Sequence, residues 1–106
     1  MSGIARAKYI RMSPRKVKLV LDRISGQTVD EAYKILKVMN KRAALPVRKV
    51  LDSAVANAGY MGNTEGVKIT RAWVGQGPVM KRLRPRARGR ANVYKKPMSH
   101  IEIEVR

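Results

Sequence analysis

Residues 101–105 read "IEIEV". Ile101, Ile103 and Val105 alternate with Glu102 and Glu104, the period of a strand with one buried face. A partner lies upstream. Val67, Ile69 and Trp73 also fall on one face of an extended segment, with Arg71 as the exception. Antiparallel pairing sets Val67 opposite Val105 and Ile69 opposite Ile103, with Lys68 opposite Glu104 and Thr70 opposite Glu102. Both apolar rows then share a face, which is what fixes a strand register. Gly75 and Gly77 are the expected sites of a bulge. This register puts the turn near Arg86, and about twelve residues of each arm extend beyond Val74, a reach on the order of 40 Å. Such a hairpin is not stable alone in water, so residues of about 80 to 95 are expected to be mobile when free and ordered by a partner.

The segments before this pair have a different period. "IARAKYIRM" (residues 4–12) alternates loosely between apolar and basic and reads as a short edge strand, with Arg6 and Lys8 discouraging unwanted pairing. Ser13-Pro14 is a helix start, with serine as cap and proline at the first helical position. Val17, Val20, Leu21 and Ile24 follow at helical spacing, and Gly26 fits the stop. "TVDE" (residues 28–31) matches a capping box and opens a second helix with Ala32, Ile35, Leu36 and Met39 as its stripe. A third helix runs from about residue 43 to 58, with Pro46 tolerated in its first turn and Val47, Leu51, Ala54 and Ala58 on one face. The expected fold is α+β: three helices packed on a small antiparallel three-stranded sheet, two of whose strands extend into a long β-hairpin. One domain of 106 residues is expected, with a globular body of residues 1–74 and 99–106 and a protruding hairpin of residues 75–98.

The chain carries 24 Lys and Arg against seven Asp and Glu, a formal net charge of +17. Self-repulsion on this scale weakens a compact state, so an external polyanion is implied. Nucleic acid comes first and an anionic membrane surface second. With no cysteine there are no disulfides or thiolate metal sites. The start of the sequence has no signal-peptide run, and no stretch approaches eighteen apolar residues. A cytosolic protein without membrane partner is the expectation.

The charge is concentrated in "KRLRPRARGRA" (residues 81–91), where Arg82, Arg84, Arg86, Arg88 and Arg90 occupy every second position. In an extended chain these project to one side, neighbours roughly 6.6 Å apart. Leu83, Pro85, Ala87, Gly89 and Ala91 take the other side, and Pro85 and Gly89 bend the tip. Guanidinium groups bind phosphate in bidentate fashion, so RNA phosphates supply the missing counter-charge. A solvated run in a disordered loop is the alternative, but strand patterns bracket this run on both sides. A second basic group comprises Lys8, Arg11, Arg15, Lys16, Lys18 and Arg23. It reads either as an RNA contact, helped by the amides at the helix start, or as a polar face with Lys18 and Asp22 paired. Tyr94, beside Lys95 and Lys96, either stacks on a base or packs against the other arm. Trp73 is expected to pack where the hairpin joins the domain, and the methionines to fill gaps in the core.

Catalytic chemistry has no foothold. His100 is the sole histidine; its neighbour Ser99 points to the opposite face of a strand, a poor geometry for a nucleophile and its base. His100 is therefore expected to be structural or RNA-contacting. The acids are dispersed, and neither a metal-ligand cluster nor a phosphate-cradling loop is present. No enzyme activity, cofactor or metal is expected.

One pattern is specific. Lys81 is followed after four residues by Arg86-Ala87, then after one by Gly89-Arg90, then after nine by His100-Ile101, Ile103 and Val105. This closely resembles the signature of the ribosomal large-subunit protein twenty-two family. "RMSPRKVKLVLDRISG" (11–26), "NKRA" (40–43) and "VLDSAVANA" (50–58) resemble that family's helical segments. The resemblance implies a globular domain near the mouth of the nascent-peptide exit tunnel and a hairpin reaching inward along large-subunit rRNA as part of the tunnel wall. It implies contacts with several rRNA domains and neighbouring large-subunit proteins, a role in subunit assembly and translation, and no homo-oligomer. Read from the residues themselves, the expected RNA-binding set is Lys8, Arg11, Arg15, Lys16 and Lys18 of the basic group, with Lys81, Arg82, Arg84, Arg86, Arg88, Arg90, Tyr94, Lys95, Lys96 and His100. The tip that the nascent peptide passes corresponds to Met80 through Ala91. The implied location is the cytoplasmic ribosome, with an organellar ribosome as the alternative. An architectural DNA-binding protein is the competing class, and a membrane-active cationic domain is a third, weakened because the apolar stripes are needed for a core.

Overall fold

The structure is a computed structural model. It describes residues 2–60, 62–76, 80–85, 91–96 and 98–106, with 80–85 and 91–96 described by their backbone pairing. The elements in chain order are β1 (Gly3–Ile10), α1 (Pro14–Ile24), α2 (Val29–Val38), α3 (Ala44–Asn57), β2 (Ile69–Gln76), β3 (Met80–Pro85), β4 (Ala91–Lys96) and β5 (Ser99–Val105). β5, the IEIEV strand, is the centre of a three-stranded sheet of order β1-β5-β2, and both its neighbours are antiparallel. β3 and β4 form a separate two-stranded antiparallel ladder. This is the expected α+β fold, with β1 at a sheet edge.

Each helix forms because its apolar residues recur every three or four positions. Val17, Val20, Leu21 and Ile24 of α1 are buried. So are Val29, Ala32 and Leu36 of α2, and Val47, Val50, Leu51, Ala54 and Val55 of α3. They close over the sheet face that carries Ala5, Ile69, Ile101, Ile103 and Val105. Leu21, Ile24, Leu51, Ile69, Ile101 and Ile103 are the largest fully buried side chains, so the centre of this core is aliphatic. The methionines take the expected gap-filling role where their side chains are described: Met98 is buried, and Met12 and Met39 pack against the core.

The helix ends differ in detail from expectation. Thr28 Oγ1 accepts the Glu31 N–H at 3.3 Å, as a capping box requires. Ser13 makes no side-chain cap; its carbonyl instead accepts the Lys16 and Val17 amides at 3.1 and 3.2 Å. Gly26 takes φ +78°, the left-handed conformation expected just past a helix end. The Tyr33 hydroxyl donates to Asp52, tying α2 to α3, and burial together with that carboxylate holds the phenol above its ordinary range. Asn57 Nδ2 donates to the Ile4 carbonyl at 2.9 Å, tying α3 to β1. Beside it, a Cβ on Gly3 would lie 2.3 Å from the Ala54 carbonyl oxygen, so glycine alone lets β1 lie against the last turn of α3.

The strand register corrects the expected one. Ile69 lies opposite Val105, not Ile103. The slip is two residues, which keeps every apolar side chain on its face, and an alternating pattern does not distinguish registers that differ by two. The register then shifts again between Ile69 and Arg71, so that Arg71, Ala72, Trp73 and Val74 face Glu104, Ile103, Glu102 and Ile101. Thr70 is the extra residue, and the expected bulge site at Gly75 is regularly paired with His100; Gly77 lies outside the described residues. One extra residue reverses the parity of all that follows. Ala72 and Val74, not Trp73, therefore turn toward the helices and pack against the core. Arg71 stops being an exception, and Trp73 is left on the open face, 48% exposed.

β3 and β4 pair from Met80↔Lys96 to Pro85↔Ala91. The turn expected near Arg86 lies outside the described residues. The radius of gyration is 16.8 Å, against about 13 Å for a compact chain of this length. The envelope of 62 × 24 × 19 Å accordingly has one long axis.

Candidate nucleic-acid interface

Three cationic regions follow from this architecture. The first runs from the end of β1 into α1. Lys8, Arg11, Arg15, Lys16, Lys18 and Arg23 are all exposed. Among the described residues the ion pairs are Arg6–Glu102, Arg71–Glu102 and Lys34–Glu31. None engages this group, and the Lys18–Asp22 pair of the alternative reading does not form. Arg15 and Lys18 stand one turn apart on the solvent side of α1, because Val17, Val20, Leu21 and Ile24 occupy the other. The expected help from helix-start amides is reduced: Pro14 has no N–H, and the Lys16 and Val17 amides are taken by Ser13.

The second region is the β3–β4 ladder. Its register places Lys81 opposite Lys95, Arg82 opposite Tyr94 and Arg84 opposite Asn92. Arg86, Ala87, Arg88, Gly89 and Arg90 lie outside the described residues.

The third region is the open face of the sheet, where Glu102 organises its neighbours. Its Oε2 accepts from Arg6 Nε at 2.7 Å, and Oε1 lies 3.9 Å from Arg71 Nη1. The Arg6 hydrogen bond, reinforced by both guanidinium charges and opposed by desolvation, holds this carboxyl below the usual glutamate range. A pKa lowered on folding stabilises the fold above the unfolded group's pKa, and that contribution is lost as pH falls through the folded value. Both arginine side chains are about 60% exposed, so screening limits the pair to about 1 kcal/mol. Glu102→Gln is expected to lower stability by that amount near neutral pH, measured by urea denaturation. The gap to the parent should close as pH falls below the ordinary glutamate pKa of about 4.3.

His100, also on this face, is structural as far as its contacts go. Its Nδ1 accepts the Tyr9 N–H at 3.1 Å, and the two rings meet edge-on at 5.1 Å. Tyr9 has φ +61° at the irregularity between Ala7 and Ile10, an uncommon conformation that this bond holds in place. Ser99 is fully buried and donates to the Met12 carbonyl at 2.6 Å, away from His100 as expected. Between β1 and α3 lies a groove of about 410 Å³, lined by Ile10, Met12, Pro46 and Val50 with Arg42 and Lys49. Among the described residues no cluster of three or more His, Cys, Asp or Glu is placed to hold a metal, and no helix is long and apolar enough to cross a membrane.

Residues 5–106 match the family described as "Ribosomal protein L22p/L17e". The chain belongs to the L22p/L17e family of ribosomal proteins. It is similar to proteins named "Large ribosomal subunit protein uL22" in three bacteria. The Clostridium acetobutylicum protein is 50% identical over all of this chain and 97% of its own length. The Deinococcus deserti protein is 53% identical over 97% of this chain and 76% of its own length. The Thermus thermophilus protein is 48% identical over 97% of this chain and 93% of its own length. An L22p/L17e protein is a ribosomal component, not an enzyme. For this L22p/L17e chain the sequence pointed to the arm and to α1, and missed the open face formed by Arg6, Arg71 and Trp73. The one available signal was the break in alternation at Arg71, which marked the bulge that turns Trp73 outward.

Proposed function

We propose that this chain is a structural constituent of the large ribosomal subunit that binds large-subunit rRNA and supports assembly of the particle. The observation that carries this reading is likeness along nearly the whole chain, at about half identity, to proteins named for that subunit. In this reading Lys8, Arg11, Arg15, Lys16 and Lys18 meet phosphates from the body of the protein. The protruding segment 75–98 meets other rRNA domains through Lys81, the arginine row, Tyr94, Lys95 and Lys96, with His100 at its base. Its tip, Met80 to Ala91, lines the exit tunnel and faces the nascent peptide, and neighbouring large-subunit proteins adjoin the body. The protein then resides in the ribosomes of a bacterial cytoplasm. Two features support a polyanionic partner. Among the described residues no ion pair engages the exposed cations on α1, and the β3–β4 register opposes Lys81 to Lys95, an arrangement that favours an external anion.

Sedimentation of a cell extract tests the proposal. Tagged protein is expected to travel with large subunits at physiological salt, and a photo-crosslinker at Arg84 is expected to attach to rRNA within them. Recovery with the nucleoid and absence from the subunits would instead support the DNA-binding class.

A further inference from the structure

The parity reversal at Thr70 leaves the largest side chain of the protein outside its core. Trp73 stands on the open face of β2 opposite Glu102 on β5, and Gly75 is paired with His100. A Cβ added to Gly75 would lie 2.3 Å from the indole Cη2, 2.9 Å from Cζ3 and 3.1 Å from Cζ2. The benzo ring therefore rests over the bare backbone of Gly75, a seat that exists only because that residue has no side chain. About half of Trp73 stays in solvent.

What surrounds the ring is specific. Glu102, directly across from it, gathers the guanidinium of Arg6 from one neighbouring strand and that of Arg71 from the other. The acids of this face are thereby occupied: Glu102 is shared by two arginines, and Glu104 accepts the Thr70 hydroxyl at 2.9 Å. On the next row the Tyr9–His100 pair adds two more rings. An exposed indole flanked by two arginines, each about 60% exposed and keeping N–H donors that Glu102 does not take, presents a π-face next to cationic donors for an anion. A nucleotide offers the matching pair of groups, a flat base and an anion. A base inside an A-form helix is stacked on its neighbours, so the ligand has to be unpaired.

We propose that the open face of the sheet is a seat for one unpaired rRNA nucleotide, with Trp73 stacked on its base and Arg6 and Arg71 on its phosphates. The assignment rests on the rRNA-binding reading above and specifies where the body of the protein touches a base. Trp73 is the sole tryptophan of the chain, so its emission reports on this seat alone.

The test titrates the full chain with protein-free large-subunit rRNA, following complex formation by filter retention and Trp73 emission in parallel. The emission is expected to be strongly quenched in step with retention, and a perfect RNA duplex of similar length is expected to bind without quenching. Trp73→Ala is expected to weaken rRNA binding roughly 5- to 100-fold, with Trp73→Phe recovering most of the loss. Gly75→Ala, which displaces the indole from its seat, should weaken binding as well. Retention with unchanged emission and an unaffected Trp73→Ala variant would overturn the nucleotide seat while leaving rRNA binding intact. Quenching seen only in assembled subunits, not with rRNA alone, would overturn it in favour of a protein neighbour. Absence of any complex with rRNA would count against the parent reading itself.

Discussion

Replacing Arg84, Arg86, Arg88 and Arg90 together with alanine should flatten the salt dependence of rRNA binding by roughly three units of log–log slope, at about 0.7 per phosphate contacted. The reason is counterion release: each guanidinium that meets a phosphate frees condensed cations, and their return at high salt opposes binding. Over a fourfold rise in salt, the parent should lose about 50-fold more affinity than the variant. The four arginines stand at alternate positions of a segment that contains no acid, so none has a counter-charge near it in sequence. Affinity measured at several salt concentrations checks the result, with melting of the variant as a control for folding. An unchanged slope would mean that these side chains do not contact phosphates, whatever the effect on affinity at one salt concentration.

Replacing Ile103 with alanine should cost about 4 kcal/mol, near the upper end for an aliphatic truncation. Ile103 is fully buried in the central strand. Its cross-strand neighbours are Ala5 on β1 and Ala72 on β2, and these methyl groups are too small to fill the space. The helices above cannot collapse into it either, because α3 is held to β1 by Asn57 and by the close approach at Gly3. A domain of this size has only about 5–15 kcal/mol of net stability. The melting temperature should accordingly fall by roughly 20 °C, measurable by circular dichroism. Val38, 83% exposed, is the matched control; Val38→Thr should change stability by no more than about 0.5 kcal/mol. A small loss at Ile103 would show that the sheet and helices repack more freely than these tethers allow.

Periodicity alone made the architecture legible. Three helical stripes, whose spacing marks most of the residues that are buried, and an alternating strand at 101–105 are local patterns imposed by the geometry of one element against water. The cationic excess was equally plain, since charge needs no fold to be counted. The exact register was not legible, because a slip of two residues preserves every inside–outside assignment. The pairing of Ile69 with Val105 places the start of β2 beside the turn between α1 and α2. There the Val67 carbonyl accepts the Val29 amide, and the Ile69 amide donates to Gln27. Those bonds join segments some forty residues apart in sequence, and no local pattern encodes them.

The open face shows the same division. Sequence by itself determined that Arg6, Arg71, Trp73 and Glu102 exist, and that Glu102 points away from the core. Only the tertiary structure decided that a bulge at Thr70 turns Trp73 outward and that one carboxylate gathers arginines from both flanking strands. The physical reason is that side-chain direction in a strand is set by counting from a paired neighbour. A single unpaired residue, whose presence depends on the partner strand, inverts every direction beyond it.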